Sequence, residues 1–163
     1  MGAFERLEEI FNKNGDISLY DIAVSSEVMT GAWLNRTIRT RCELSYPVGS
    51  VFTSLSCESW SDGGEYECQF DGNFEYVFSL RGNIPCHVVD YGLDCEFSHS
   101  YYEALGTSPD YSCEREVVVP HGTLFRVMDV DTYVCPDGIT RSFVELAAIT
   151  RSFVELAAVE NKF

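Results

Sequence analysis

The apolar pattern of this chain changes period at Trp33, and that change confines it to a small set of folds. Upstream, residues 3–13 (AFERLEEIFNK) place Phe4, Leu7, Ile10 and Phe11 at helical spacing. Asn14-Gly15 closes that helix, because glycine readily takes the left-handed backbone that ends one. Ser18 is placed to cap a second short helix within 16–30, with Leu19, Ile22 and Ala23 recurring on one side. From Trp33 onward, short runs rich in Val, Phe, Tyr and Thr alternate with Gly, Asn, Asp and Pro, the pattern of strands and turns. The predicted strands are 33–39, 49–55, 74–81, 85–90, 114–119, 123–130 and one within 139–159. Helices first and strands later predict an α+β fold, the N-terminal helices packed on an antiparallel or mixed sheet. At 163 residues with 45% hydrophobic content, a single domain with a sizeable core is expected.

The charge balance narrows the partners. The formal net charge is −15, from 26 acidic and 11 basic residues. Direct nucleic-acid binding is not expected, since its affinity rests on Lys and Arg neutralising phosphates. The one local basic spot is Arg36, Arg39 and Arg41, suited to a small anion. Seven cysteines, an odd number without a C-x-x-C pair, argue against a zinc site or disulfide framework and for a reducing cytoplasm. No metal is expected. His87, His99 and His121 lack partner spacing for metal or triad work and read as structural or surface residues. The start, MGAFERLEEIF, lacks the layout of a signal peptide. No apolar run approaches membrane-spanning length, so no membrane association is expected. A cytoplasmic monomer is the expectation.

Two local features stand out. The segment ITRSFVELAA occurs at 139–148 and again, unchanged, at 149–158, too short and too few for a solenoid. Either copy is suited to be the last strand, and the pattern does not choose between them. The second feature is Glu114 and Glu116, two residues apart at the mouth of the apolar run EVVV. In an extended strand they share a face with Val118. By pattern alone such a pair is a solvated edge strand or a site where negative charge is wanted.

The stretch YSCEREVVVPHGTLFRV (residues 111–127) carries an aromatic, two spacers and Glu-x-Glu, then a strand of the form E-V-x-x-P-x-G-x-x-F-R-V. It resembles the signature of arginine-type mono-ADP-ribosyltransferases, the Arg / Ser-x-Ser / Glu-x-Glu class of bacterial toxins and bacteriophage enzymes. Upstream, Gly49-Ser50-Val51-Phe52 followed by Ser59-Trp60-Ser61, and then Phe70, resembles the family's serine motif, with Trp60 where Thr is usual. Ser54-Leu55-Ser56 is a competing Ser-x-Ser. Leu34-Asn35-Arg36-Thr37 resembles the family's first-strand arginine motif, with Thr37 where Gly is usual and Arg39 as the alternative arginine. The resemblance covers about 33–158. It implies a split, mostly antiparallel β-sheet core of the ADP-ribosyltransferase type. Within one domain, it divides the chain into a helical lead-in (1–32), a catalytic core (33–148) and a duplicated C-terminal segment (149–163).

The same resemblance implies an activity, transfer of ADP-ribose from NAD to an arginine of a target protein. In it Glu116 is the catalytic carboxylate, oriented by Ser59. Arg36, Thr37, Ser59, Ser61 and Phe70 contact NAD. Tyr111 and Glu114 face the acceptor, Glu at this position going with arginine. The chemistry fits the residue types: a guanidinium pairs bidentately with a pyrophosphate, and a fixed carboxylate stabilises the oxocarbenium-like cation left when the nicotinamide–ribose bond breaks. The alternative is a non-catalytic acidic protein, a degenerate transferase fold, occupying a basic surface of a partner.

Overall fold

Two long strands organise the molecule. The computed structural model describes residues 2–15, 17–54, 57–63, 71–89 and 115–149. Strand β1 (Glu27–Thr40) pairs antiparallel with β4 (Phe74–Val88), from Glu27 opposite Cys86 to Thr40 opposite Phe74. The remaining strands are β2 (Val51–Thr53), β3 (Glu58–Ser61), β5 (Glu116–Val119), β6 (Leu124–Val134) and β7 (Thr140–Ala148). They form one sheet in the order β1-β3-β5-β4-β7-β6-β2, with the added β1–β4 pairing. Every pairing is antiparallel except β4 with β7.

The other edge of β4 is shared between two partners. Its first half, Phe74–Arg81, pairs with β7, while His87 and Val88 pair with β5. Because β5 also pairs with β3, and β3 with β1, the strands β1, β3, β5 and β4 close a ring. Leu34, Trp60, Phe78, Leu80 and Val117 on the inner face of these strands join Phe125 of β6 and Leu146 of β7 in the main core. A second, smaller core of Leu7, Ile17, Ile22, Val89 and Val118 joins the helices to the outer face of the ring.

Helix α1 (Ala3–Asn14) ends at Gly15, whose φ of 72° lets its N–H reach the Phe11 carbonyl. Helix α2 (Leu19–Ser25) is capped by Ser18, whose hydroxyl accepts from the Asp21 N–H. The helical lead-in is shorter than the predicted 1–32: β1 begins at Glu27 rather than Trp33. The pairing with β4 recruits Glu27–Met29, and a bulge at Gly31 (φ 62°) absorbs the irregularity between Met29 and Ala32. Gly31 N–H donates to Asn83 Oδ1 at 3.1 Å across that bulge. Gly82-Asn83, which reads as a break between strands 74–81 and 85–90, therefore lies inside one continuous strand.

Other boundaries move for similar local reasons. The predicted strand 49–55 shrinks to β2, whereas 123–130 extends to Val134 because β7 pairs along it. Strand 114–119 begins only at Glu116. Arg115 has φ 49°, so extended alternation does not run through it. The first copy of the repeat forms β7, and the second lies outside the described residues beyond Ile149. The described cysteines Cys42, Cys57, Cys86 and Cys135 are free thiols. Among the described residues no helix is long and apolar enough to cross a membrane.

Candidate active site

The register of three short pairings brings the sequence motifs together. Ser61 lies opposite Glu116 in the β3–β5 pairing and opposite Asn35 in the single β1–β3 pairing. Directly opposed residues share a face, so Asn35, Ser61 and Glu116 form one polar row across three strands. Ser59, two residues from Ser61, lies on that face as well and opposes Val118.

Ser59 Oγ donates a 2.6 Å hydrogen bond to Glu116 Oε1. Glu116 is only 2% exposed, whereas Ser59 is exposed, so the carboxylate sits one side chain below solvent. A buried carboxylate is costly unless hydrogen-bonded, and Ser59 supplies a charge-assisted bond of the stronger kind. The backbone holds Glu116 from both sides: Val89 N–H donates to its carbonyl at 3.0 Å, and Asp62 N–H donates to the preceding Arg115 carbonyl at 3.0 Å. Asp62 also pairs with Arg115 at 3.6 Å. Arg115 is the one non-glycine residue with positive φ among the described residues.

Arg36 reaches this site through the backbone. Its Nη1 donates to the Ser59 carbonyl at 3.2 Å. In strand alternation Arg36 falls with Leu34 and Ile38 on the inner face, opposite Phe78, whereas Glu116 falls on the outer one. Only Asn35 and Ser61 pair between β1 and β3, and beside that pairing the Arg36 guanidinium reaches the Ser59 backbone rather than Glu116 itself. Arg36 lines a cavity of about 90 Å³ with Tyr46, Phe52, Glu58, Trp60 and Phe125. Trp60 Nε1 donates to Glu58 Oε1 at 3.4 Å there. Burial pushes the Tyr46 hydroxyl above its ordinary pKa, Tyr76 and Glu58 add to the rise, and Arg36 opposes it. Tyr46 also lines an open groove of about 560 Å³ with Glu43, Phe74, Tyr76 and Thr132.

The alternative arginine, Arg39, is engaged elsewhere. Its Nε binds Glu75 at 3.1 Å, and Arg141 binds the same carboxylate from β7. Thr37 is half-buried on β1 opposite Val77. Ser54, from the competing Ser-x-Ser, donates to the Pro120 carbonyl at 2.9 Å and accepts from Thr123 N–H, which ties the β5–β6 turn to β2. Phe70, Tyr111 and Glu114 lie outside the described residues. His87 is buried on β4 opposite Val118, and His121 is exposed in the β5–β6 turn. Among the described residues no group of His, Cys, Asp and Glu is placed to hold a metal. Sequence reasoning missed Asn35 and Glu58. Only the pairing register reveals Asn35 as the neighbour of Ser61; its sole sequence signal is adjacency to Arg36.

No family model matches this chain, and no curated protein sequence does. Solved structures similar to it include C3larvin toxin, an ADP-ribosyltransferase from Paenibacillus larvae, at 10% identity and a TM-score of 0.49, covering 89% of this chain and 86% of that one. Vis toxin, an ADP-ribosyltransferase from Vibrio splendidus, is similar at 14% identity and a TM-score of 0.44, covering 77% of this chain and 51% of that one. C3stau2 from S. aureus, solved with NAD, is similar at 12% identity and a TM-score of 0.40, covering 64% and 41% of the two chains.

Proposed function

We propose that this protein is an NAD-dependent mono-ADP-ribosyltransferase that modifies an arginine of a target protein. The observation that carries the reading is the 2.6 Å bond from Ser59 Oγ to the buried Glu116 carboxylate, with Arg36 bound to the Ser59 carbonyl. Those are the serine, glutamate and arginine that the three sequence motifs single out, and they come from three different strands.

Each side chain has a task in such a reaction. Arg36, in a body of net charge −15, offers a guanidinium to the NAD pyrophosphate. Glu116 accepts a hydrogen bond from the ribose 2′-hydroxyl and stabilises the positive charge that develops at C1′. Ser59 keeps Glu116 in one orientation, and Ser61 and Asn35 continue the polar row beside it. The C1′–nitrogen bond breaks with its electron pair leaving on nicotinamide, and an acceptor guanidine nitrogen then bonds to C1′. Glu114 binds that guanidinium and takes its proton, while Tyr111 contacts the target protein. The cation is short-lived in water, so holding the acceptor beside it decides transfer over hydrolysis.

The test is incubation of the purified chain with labelled NAD and a bacterial lysate, wild type beside Glu116→Gln and Glu114→Gln. Wild type is expected to label protein. Glu116→Gln lowers both labelling and NAD cleavage by about 10²–10³-fold, the scale of losing one preorganised electrostatic group. Glu114→Gln loses labelling and keeps NAD hydrolysis. A folded wild-type sample that neither labels protein nor consumes NAD would overturn the reading in favour of an acidic binding protein.

A further inference from the structure

The strand position between β4 and β6 has two chemically identical candidates in this chain. In the structure Thr140–Ala148 fills it, parallel to β4 and antiparallel to β6. Residues 150–158 repeat the same nine residues without change, and Ile149 repeats Ile139 ahead of them. We propose that residues 150–158 are an interchangeable second occupant of this position, so that the chain has two sheet registers ten residues apart.

Every side-chain interaction of β7 is reproduced in the shifted register. Val144 and Leu146, each 1% exposed in the core, are matched by Val154 and Leu156. Ser142, whose hydroxyl lies 2.9 Å from Thr132 Oγ1, is matched by Ser152. Arg141, bound to Glu75, and Glu145, 3.8 Å from Arg81, are matched by Arg151 and Glu155. Phe143, which packs edge-on against Tyr133, is matched by Phe153. Deleting residues 139–148 or 149–158 leaves the same sequence; the copies differ in their distance from β6 and in the residue that follows them, Ile149 or Val159.

That distance sets the balance. With the first copy in place, five residues (135–139) join β6 to β7, closed by Cys135 N–H to Ile139 O at 2.8 Å and Gly138 N–H to Cys135 O at 3.0 Å. With the second copy in place the connection is 135–149, three times as long. Loop-closure entropy then disfavours the shifted register by about fivefold, and loss of the tight turn disfavours it further. The first register is dominant. The second becomes dominant when the first copy is made unfit for the core.

Three full-length variants test this: Val144→Asp with Leu146→Asp, Val154→Asp with Leu156→Asp, and all four together. Each is followed by urea unfolding, size exclusion and hydrogen exchange. The first pair is expected to leave a folded monomer, its folding equilibrium constant reduced by at least about fivefold, with amide protection moved from 140–148 to 150–158. The second pair unfolds like wild type. The fourfold variant shows no cooperative transition. The proposal is overturned if the first pair abolishes cooperative unfolding as completely as all four. It is equally overturned if that variant folds with 150–158 unprotected.

Discussion

Replacing Ser59 by alanine tests the central bond of the candidate site independently of any activity. The Ser59 hydroxyl donates at 2.6 Å to a carboxylate that is 2% exposed. Hydrogen bonds to charged groups contribute about 1.5–3 kcal/mol. Ser59 itself is exposed, so water can enter the truncated site and replace part of that bond. The lower end therefore applies, about 1.5 kcal/mol, which for a chain of this size is about 3–6 °C in Tm. The control is Glu116→Met, which removes the carboxylate while keeping a side chain of similar length. In that background Ser59→Ala has no charged acceptor to abandon and should cost close to nothing. Urea unfolding of the four proteins measures the coupling. If Ser59→Ala costs the same in both backgrounds, within the roughly 0.3–0.5 kcal/mol over which independent sites add, the bond does not stabilise Glu116 and its orienting role is wrong.

Two further expectations rest on ionisation. Burial alone would raise the Glu75 carboxyl pKa, but the hydrogen bonds and charges of Arg141 and Arg39 outweigh it, so it lies below the ordinary glutamate value. A lowered folded-state pKa adds stability that is fully present above the unfolded value and lost as pH falls through the folded one. The stability gap between wild type and Glu75→Gln should thus narrow as urea unfolding is repeated from pH 7 towards pH 3, and a constant gap would contradict the assignment. Burial, opposed by a Met29 backbone hydrogen bond and reinforced by Asp62, pushes the Cys86 thiol up to about 11. Since the thiolate is the nucleophile, Cys86 should resist iodoacetamide at pH 8 while exposed Cys42 reacts, as peptide mass mapping of the native protein would show; equal rates would refute it.

The elements were readable in the sequence where their cause is local. Helix α1 follows from the spacing of Phe4, Leu7, Ile10 and Phe11, and its end from Gly15. The predicted cap at Ser18 is where α2 begins. The EVVV run is a strand because β-branched residues fit a pleated, buried surface. The misreadings occur where a partner overrides local preference. Gly82-Asn83 carries a turn signal, yet β4 continues through it because β1 pairs along the whole length and bulges at Gly31 to keep register. Glu27–Gly31 carries no strong strand signal and becomes strand for the same reason.

For the candidate site, it was the resemblance of three motifs, in order along the chain, that singled out Arg36, Ser59, Ser61 and Glu116; by residue pattern alone Glu116 read equally as part of a solvated edge strand. Their meeting belongs to the tertiary structure. Ser59 and Glu116 are 57 residues apart, and Arg36 and Ser59 are 23 apart. What joins them is the register of β3 against β5 and the one rung between β1 and β3, and a slip of one residue would send each side chain to the opposite face. The same long-range pairing decided that Asn35 stands beside Ser61, and that Arg39 is drawn to Glu75 with Arg141 instead of to the site. The repeat is the limiting case. Two identical segments have identical local preferences, so no property of their own residues can choose between them; the choice falls to the length and turn geometry of the chain that connects each to β6.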